Sequence, residues 1–309
     1  MRKVISFSAI LCIALFSLSI MNAAFYQEMQ FKKRVAVLTF EDKTDHRYHW
    51  WSGQPVGEGM SDMLVTALVK SGRYSVIERQ EIDKIMQEQS LAQTGVVTQE
   101  SAAKVGQMLG VELAVFGAVT EFGWSEGNVG GALKQQGFGL GVKTTAATVA
   151  IDIRFVNTST GEILGAESVR KQESKKGLSI STQKFDFDNR EKFDESMVGK
   201  ACRAAIDEVV ALVDNNMEKI PWQCKIIKAD AAIYINAGAN SGIQVGQEFA
   251  VYRPGEELID PDTGLSLGSE ETKVGTIRVT NNSVASGKAS TCEAVEGSGF
   301  QRNDRVRLQ

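Results

Sequence analysis

The residues whose types could most readily bind a metal ion lie just after position 41. His46 and His49 are the only histidines of the chain, and Asp42 and Asp45 lie close to them. Imidazole and carboxylate groups can ligate a divalent metal ion, but such sites need further ligands at suitable spacing. This segment contains neither a cysteine nor a third spaced ligand. It therefore predicts a solvated or packed loop, and we expect no metal ion.

Two further segments partly match the sequence patterns of ligand-binding motifs. Residues 137–141, Gly-Phe-Gly-Leu-Gly, neither follow a buried strand nor open a helix, and no Lys-Ser/Thr pair follows them, so they do not fit a phosphate-binding loop. A glycine-rich strand or a bulge is the better interpretation. Glu256, Asp260 and Asp262 could bind calcium, but their spacing lacks the register of an EF-hand, and the acidic stretch is typical of a turn. We expect no cofactor.

Catalysis by a nucleophile has no support in the sequence. Because both histidines fall in one loop, no Ser/His/Asp or Cys/His constellation can be assigned, and we expect that the protein is not an enzyme. Cys202 lies on a helical pattern and is predicted to be a buried, small apolar residue. Cys224 and Cys292 could form a disulfide, although their separation cannot be measured from sequence.

The N-terminus has the pattern of a secretory signal. Arg2 and Lys3 precede an apolar run, and small residues end at Ala24, which predicts a signal peptide over residues 1–24. A retained membrane anchor is the alternative, but the run is short and interrupted by serines. Export predicts a periplasmic location, where three cysteines would remain. Their odd number leaves at least one thiol free or paired between chains.

The length suggests one large or two medium-sized domains, and the charge does not favour binding to nucleic acid. The chain has 309 residues and a net charge of −4, which provides no basic footprint for nucleic acid. Pro221-Trp222 marks a change from mixed to all-β patterns. We therefore predict an α/β (α+β) domain over residues 33–218 and a small all-β, barrel-like domain over residues 222–309.

The first predicted domain mixes strands and helices. Apolar runs, period-two alternation and helical spacing predict these elements. The predicted strands are 34–40, 74–77, 112–122, 148–156 and 163–170, the last two forming a hairpin. The predicted helices are 57–70, 80–89, 98–109 and 196–217, with Gly72 at the end of the first.

The second predicted domain consists of short strands separated by turns. The strands are 232–235, 248–252, 274–279 and 286–292. Turn residues punctuate them, as in Asn240-Ser-Gly242 and Pro254-Gly255. Several short strands with frequent turns predict a small closed barrel.

Several segments match a known family in order along residues 33–215. They are Arg34-Val-Ala-Val-Leu-Thr-Phe40, Met63-Leu-Val-Thr-Ala-Leu68, Ser75-Val-Ile-Glu-Arg-Gln80, Phe116-Gly-Ala-Val119 and Phe155-Val-Asn-Thr-Ser-Thr-Gly-Glu-Ile-Leu164. On these residues the chain resembles the curli production assembly/transport (CsgG) family. The resemblance implies a periplasmic domain that forms a homo-oligomeric ring at the outer membrane, with two extended hairpins per subunit. It also implies that the loop after the first strand is a pore constriction or interaction loop, for which Tyr48, Trp50 and Trp51 are the candidates.

The chain departs from the channel members of that family in two ways. Those members carry a lipidated N-terminal cysteine, which this sequence lacks. The hairpin segments also differ: residues 125–150 suit a membrane strand better than residues 171–193, where lysines and aspartates lie on both faces. A lipid-facing Lys or Arg at mid-depth costs about 2–4 kcal/mol. A soluble hairpin that contacts neighbouring subunits is therefore the alternative.

The C-terminal part resembles the C-terminal domain of flagellar assembly protein T. Residues 242–249, 251–255 and 260–264 carry this resemblance, together with Gly275 and Asn303-Asp-Arg305. Expected partners are other copies of the chain, secreted fibre subunits or other envelope proteins. Two functions stay open: an assembly or secretion component near the outer membrane, or a soluble periplasmic accessory protein of the cell-wall-synthesis or flagellar-base type, without a pore.

Overall fold

The computed structural model describes residues 31–44, 50, 53–77, 110–129, 142–176, 190–261 and 266–309. These residues form an α+β structure with two sheets, extended strands and few helices, which confirms the predicted class. The first sheet contains β1 Lys33–Val37, β2 Glu41–Asp42, β3 Tyr74–Ile77, β4 Leu113–Val129, β5 Val142–Asn157 and β6 Ile163–Lys176. Its helices are α1 Val56–Ser71, α2 Arg190–Glu195 and α3 Met197–Glu218. The second sheet contains β7 Gln223–Ala229, β8 Ile233–Ile235, β9 Glu248–Ile259, β10 Ser266–Val284, β11 Ala289–Gly297 and β12 Arg305–Arg307.

The first sheet has a parallel core and an antiparallel edge. Its strand order is β3-β1-β4-β5-β6, with β2 beside β4. Strand β1 runs parallel to β3 and β4, whereas β4, β5 and β6 form an antiparallel meander. The apolar run Val35, Ala36 and Val37 at the end of β1 follows from this central position, because side chains on both faces of the strand are buried there.

Helices α1 and α3 cover the sheet and contribute a large share of the apolar core. They pack against each other, and α3 also packs on β5 and β6. The inward face of α3 follows helical spacing, as expected for an amphipathic helix. Its buried apolar residues include Val198, Ala201, Ala205, Val209 and Val213. The helix starts after Ser196, whose hydroxyl accepts a hydrogen bond from the Gly199 N–H at 3.0 Å. Gly72, at φ 69°, ends α1 as predicted.

The hairpin formed by β4 and β5 is longer than its side-chain pattern predicts. Pairing continues from Leu113 opposite Asn157 to Val129 opposite Val142, so each strand extends beyond the predicted ends. Strand β6 continues to Lys176, which pairs with Thr144. Polar and glycine residues interrupt the alternation there, but backbone hydrogen bonds do not depend on side-chain type. The hairpin therefore extends past the apolar core.

The second sheet closes on itself. Its strands are hydrogen-bonded in the order β10-β11-β8-β7-β12-β9, and β9 returns to β10. Apolar side chains fill the interior, and Ile226, Ile235, Phe249, Ile277 and Val306 are among the fully buried residues. Strands β7 and β12 were not predicted. Strand β12 is only three residues long, and two of those residues are arginines. Strands β9 and β10 are longer than predicted and form one extended hairpin.

Residues Lys32–Gln309 form a single compact unit. None of the helices in the part of the chain that the structure describes is both long and apolar enough to cross a membrane. The predicted helices 80–89 and 98–109 lie outside the described residues, as do the signal segment 1–24 and the glycine-rich residues 137–141.

Candidate functional site

The base of the aromatic loop, residues 41–55, is fixed to the first sheet. The Lys43 N–H donates a hydrogen bond to the Val119 carbonyl oxygen at 2.9 Å. Asp42 Oδ1 accepts hydrogen bonds from the N–H of Thr44 at 3.0 Å and from its hydroxyl at 2.7 Å. These hydrogen bonds fix the backbone at the start of the loop to β4 and give the Asp42 carboxylate its donors. Asp42 is therefore engaged within the turn.

Trp50 anchors the other side of the loop in the hydrophobic core. Its side chain is only 5% exposed, and its ring centroid lies 4.6 Å from that of Phe193 and 6.1 Å from that of Phe122. The sequence predicts Trp50 as an interaction candidate, and in the structure its indole packs within the core. Its structural role is to hold the loop. Tyr48 and Trp51 lie outside the described residues, and their role in the loop stays a prediction. His46 and His49 also lie outside the described residues, and the expectation that they bind no metal ion stays a prediction.

Helix α1 makes room for the indole by carrying a glycine. A methyl group at Gly59 would lie 2.1 Å from Cδ2 of Trp50, well inside van der Waals contact. Gly57 likewise allows the backbone of Phe40 to approach the helix, because a methyl group there would lie 2.1 Å from the Phe40 carbonyl oxygen. The packing of Trp50 and of the Phe40 backbone against α1 therefore depends on two glycines, which lower the intrinsic helix propensity of α1.

The first residues of β1 connect the first sheet to α3 and to the second sheet. The Lys32 N–H donates to the Ser241 carbonyl oxygen at 3.1 Å. Lys33 Nζ donates to the carbonyl oxygens of Met217 at 2.7 Å and Ile220 at 2.5 Å, which satisfies acceptors at the end of α3. The guanidinium of Arg34 donates to the Asn236 carbonyl oxygen, next to β8. Three consecutive residues thus join three parts of the fold.

A buried carboxylate completes this junction. Glu112 is 6% exposed, and its Oε2 accepts a hydrogen bond from the Arg34 N–H at 2.7 Å. Burial raises the pKa of Glu112 to about 7, while the hydrogen bond and the charges of Arg34 and Lys33 act in the opposite direction. Near neutral pH this carboxyl group therefore changes its charge inside the fold. The sequence did not reveal it, because one glutamate before an apolar strand has no distinctive pattern.

The three cysteines in the part of the chain that the structure describes are buried and have free thiols. Cys202 lies in α3, as predicted, whereas Cys224 lies on β7 and Cys292 on β11, with β8 between those two strands. Burial raises the pKa of Cys292 to about 12 and raises that of Cys224 as well. Neither thiol is therefore a nucleophile near neutral pH. The pairing of Cys224 with Cys292 stays a prediction.

The polar groups of the described residues can be compared with the ligand sets of metal sites. Within them, no group of three or more His, Cys, Asp or Glu residues is arranged to hold a metal ion. The buried polar groups at the start of β1 pair with one another and with backbone atoms, so they serve structure. Extended hairpins and a loop anchored by Trp50 characterise this part of the α+β fold.

The family model of the curli production assembly/transport component CsgG matches residues 17–232. The chain belongs to this family. It is 28% identical over 123 residues to the curli production assembly/transport components CsgG of Salmonella typhimurium and Salmonella typhi. The matched stretch covers 38% of this chain and 43% of each relative, so the chain spans less than half of the length of these relatives.

The similar solved structures have lower sequence identities to this chain than the Salmonella relatives have. A hypothetical protein from Chlamydia trachomatis is 15% identical with a TM-score of 0.40, and the match covers 60% of this chain and 97% of that one. A lipoprotein from Neisseria meningitidis is 14% identical with a TM-score of 0.31, and that match covers 60% and 99% of the respective chains. The resemblance of the C-terminal part to flagellar assembly protein T stays a prediction.

Gly59→Ala should destabilise the protein by about 1–3 kcal/mol, because the added methyl group overlaps the indole of Trp50 and forces one of them to move. The free energy of unfolding, measured by urea denaturation, checks this expectation. Lys70→Ala, at an exposed position of the same helix, is the control and should change stability by less than about 0.5 kcal/mol. Equal stability of the two variants would show that Trp50 does not occupy this position.

Glu112→Gln should flatten the pH dependence of stability. Since burial raises the pKa of Glu112 from 4.5 to about 7, its contribution to stability is fully present below pH 4.5 and is lost as the pH rises through 7. Relative to the Gln variant, the native protein should therefore lose about 2–4 kcal/mol of unfolding free energy over that range. Denaturation at several pH values measures the difference. Glu121→Gln, at an exposed position of β4, is the control, and a constant difference for Glu112→Gln would contradict the expected titration.

Proposed function

We propose that this protein is an envelope assembly or secretion component of the curli production/transport type, which oligomerises at or near the outer membrane. Family membership supports the assembly and transport role. The observation that carries the proposal is the β4–β5 hairpin, whose pairing continues past the core to Val129 opposite Val142. Since β6 already pairs with β5, the long hairpin of each subunit can meet the hairpins of neighbouring copies through the outer edge of β4, because sheet edges readily accept another strand.

The aromatic loop is the proposed contact for cargo. Its ends are fixed by Asp42 and by the buried Trp50, which reduces the conformational entropy that the loop would lose on binding. Tyr48 and Trp51 flank Trp50 in sequence and are the aromatic residues left to meet secreted fibre subunits. Trp50 then acts as the anchor that positions them.

A soluble periplasmic accessory protein without a pore is the second candidate. Charged residues of β6 favour it: Arg170 pairs with Glu121 at 3.0 Å, and Lys171 pairs with Glu208. These side chains are roughly one-third to more than one-half exposed, and ion pairs of this kind are compatible with water around the middle of β6. In this alternative the hairpins serve subunit contacts alone.

The domain division is part of the proposal. Residues 1–24 would be the signal peptide, residues 33–218 the oligomerising domain and residues 222–309 a domain that binds another envelope protein. The closed order of the second sheet supports the last assignment, because this part has its own apolar interior.

Fractionation of the native protein from its own cells, followed by native mass spectrometry, distinguishes the two candidates. We expect a ring-sized oligomer in the outer-membrane fraction that needs detergent, because the extended hairpins would be shared between subunits. A monomer recovered from the periplasm without detergent would contradict the secretion role and favour the accessory role.

The double variant Tyr48→Ala/Trp51→Ala should reduce export of the secreted fibre subunit while leaving the oligomer unchanged, since the anchor Trp50 is kept. Export is measured as fibre protein outside the cells. Lys43→Ala is the control, because Lys43 lies in the same loop and its side chain is well exposed. If the double variant exports as much as the Lys43 variant, the loop is not the cargo contact.

A further inference from the structure

The outer surface of the second sheet carries a row of cationic residues where β7, β12 and β9 lie side by side. The strand register places Lys225 opposite Arg305, and Arg305 opposite Tyr252. Arg307 follows two residues later, on the same side of β12. Directly paired residues of antiparallel strands project from the same face, so these side chains are neighbours. We call Lys225, Tyr252, Glu271, Arg305 and Arg307 the basic face.

Glu271 compensates part of the positive charge of the basic face. Its Oε1 accepts a hydrogen bond from Arg305 Nη1 at 2.5 Å, and its two oxygens accept from Arg307 at 2.5 and 3.0 Å. The Arg307 guanidinium also lies 5.6 Å from the ring centroid of Tyr252. Within the basic face, two arginines thus share one carboxylate, and Lys225 adds a third positive charge. Two positive charges remain uncompensated there, in a chain whose net charge is −4.

Lys225 takes no part in the contacts that Arg305 and Arg307 make with Glu271. Its side chain is partly buried, and in the structure as described its Nζ forms neither a hydrogen bond nor an ion pair. Its backbone is fixed, because the Lys225 N–H donates to Asn236 Oδ1 at 2.7 Å and its carbonyl accepts from the Asn236 N–H at 3.0 Å. The same Asn236 accepts a hydrogen bond from Arg34 through its carbonyl.

The charges that act on Lys225 are repulsive. Burial, Arg305 and Arg34 all lower the pKa of Lys225, in that order. Like charges directly opposite each other destabilise a sheet, and a lysine side chain normally reduces such repulsion by moving into water. An anion bound between Lys225 and Arg305 would reduce the repulsion and would accept hydrogen bonds from Nζ.

We infer that the basic face binds a phosphate group, with Lys225 and Arg305 as the residues that contact it. A phosphate monoester carries about −1.5 to −2 charges near neutral pH, which matches the uncompensated charge better than a single carboxylate does. Arg305 uses Nη1 for Glu271, and a guanidinium has further N–H donors for phosphate oxygens. This binding role goes beyond assembly or secretion and does not depend on it.

Titration of the purified protein with inorganic phosphate, at constant ionic strength against chloride, tests the site. Phosphate should bind saturably and should raise the pKa of Lys225, followed through the ¹³C shift of its ε-carbon. Lys225→Met should weaken binding on the order of tenfold or more, because a charge-assisted hydrogen bond is lost. Lys225→Arg should retain binding, since it keeps the charge and the donors.

Lys228→Met is the matched control. Lys228 lies on the same strand, its side chain is 60% exposed, and it pairs with Asp230 at 3.4 Å, so its loss should leave phosphate binding unchanged. Denaturation midpoints confirm that each variant is folded. Absence of saturable binding would overturn the proposal, as would equal binding by the native protein and Lys225→Met, which would indicate an adventitious ion only.

Vesicles of phosphatidylcholine, with and without phosphatidylglycerol, identify the source of the phosphate group. Binding to the anionic vesicles that Lys225→Met weakens would assign the site to a lipid headgroup. Phosphate binding without vesicle binding would assign it to a soluble phosphate compound. Both outcomes support the basic face as a phosphate site and differ only in what carries the phosphate.

Discussion

The junction at the start of β1 is the constraint on which the rest of the structure depends. Lys33 closes the end of α3, and Arg34 reaches Asn236 of the second sheet, while Glu112 holds the backbone between them. Hydrogen bonds of this kind contribute modestly when made but cost free energy when one partner is lost from a buried site. The two sheets therefore meet through polar groups that must all be satisfied together.

A second contact, between Trp50 and α1, gives the aromatic loop its starting point. The indole fills the space that Gly59 leaves open and packs on Phe193, so the loop is attached to the same core that holds the helices against the sheet. A loop fixed at both ends can present its remaining residues in a restricted range of positions. This arrangement links the packing of one buried ring to a surface contact proposed for secretion.

The long hairpins and the basic face place binding surfaces in different parts of the molecule. Strands β4, β5 and β6 extend beyond the apolar core on backbone hydrogen bonds, whereas the basic face lies on a sheet with its own interior. Contacts between subunits and recognition of a phosphate group could therefore proceed without sharing residues. Arg34 connects the junction to the basic face, because its positive charge also lowers the pKa of Lys225.

The sequence by itself determined the α+β class, the family, helices α1 and α3 and strands β1 and β3, because these depend on local periodicity and on segments matched in order. It did not predict strands β7 and β12, the full length of β4 and β5, the burial of Trp50 or the carboxylate of Glu112. Those features arise from contacts between residues far apart in the chain. Burial and pairing across such distances decide whether a ring lies inside or a polar strand joins a sheet, and only the tertiary structure brings the partners together.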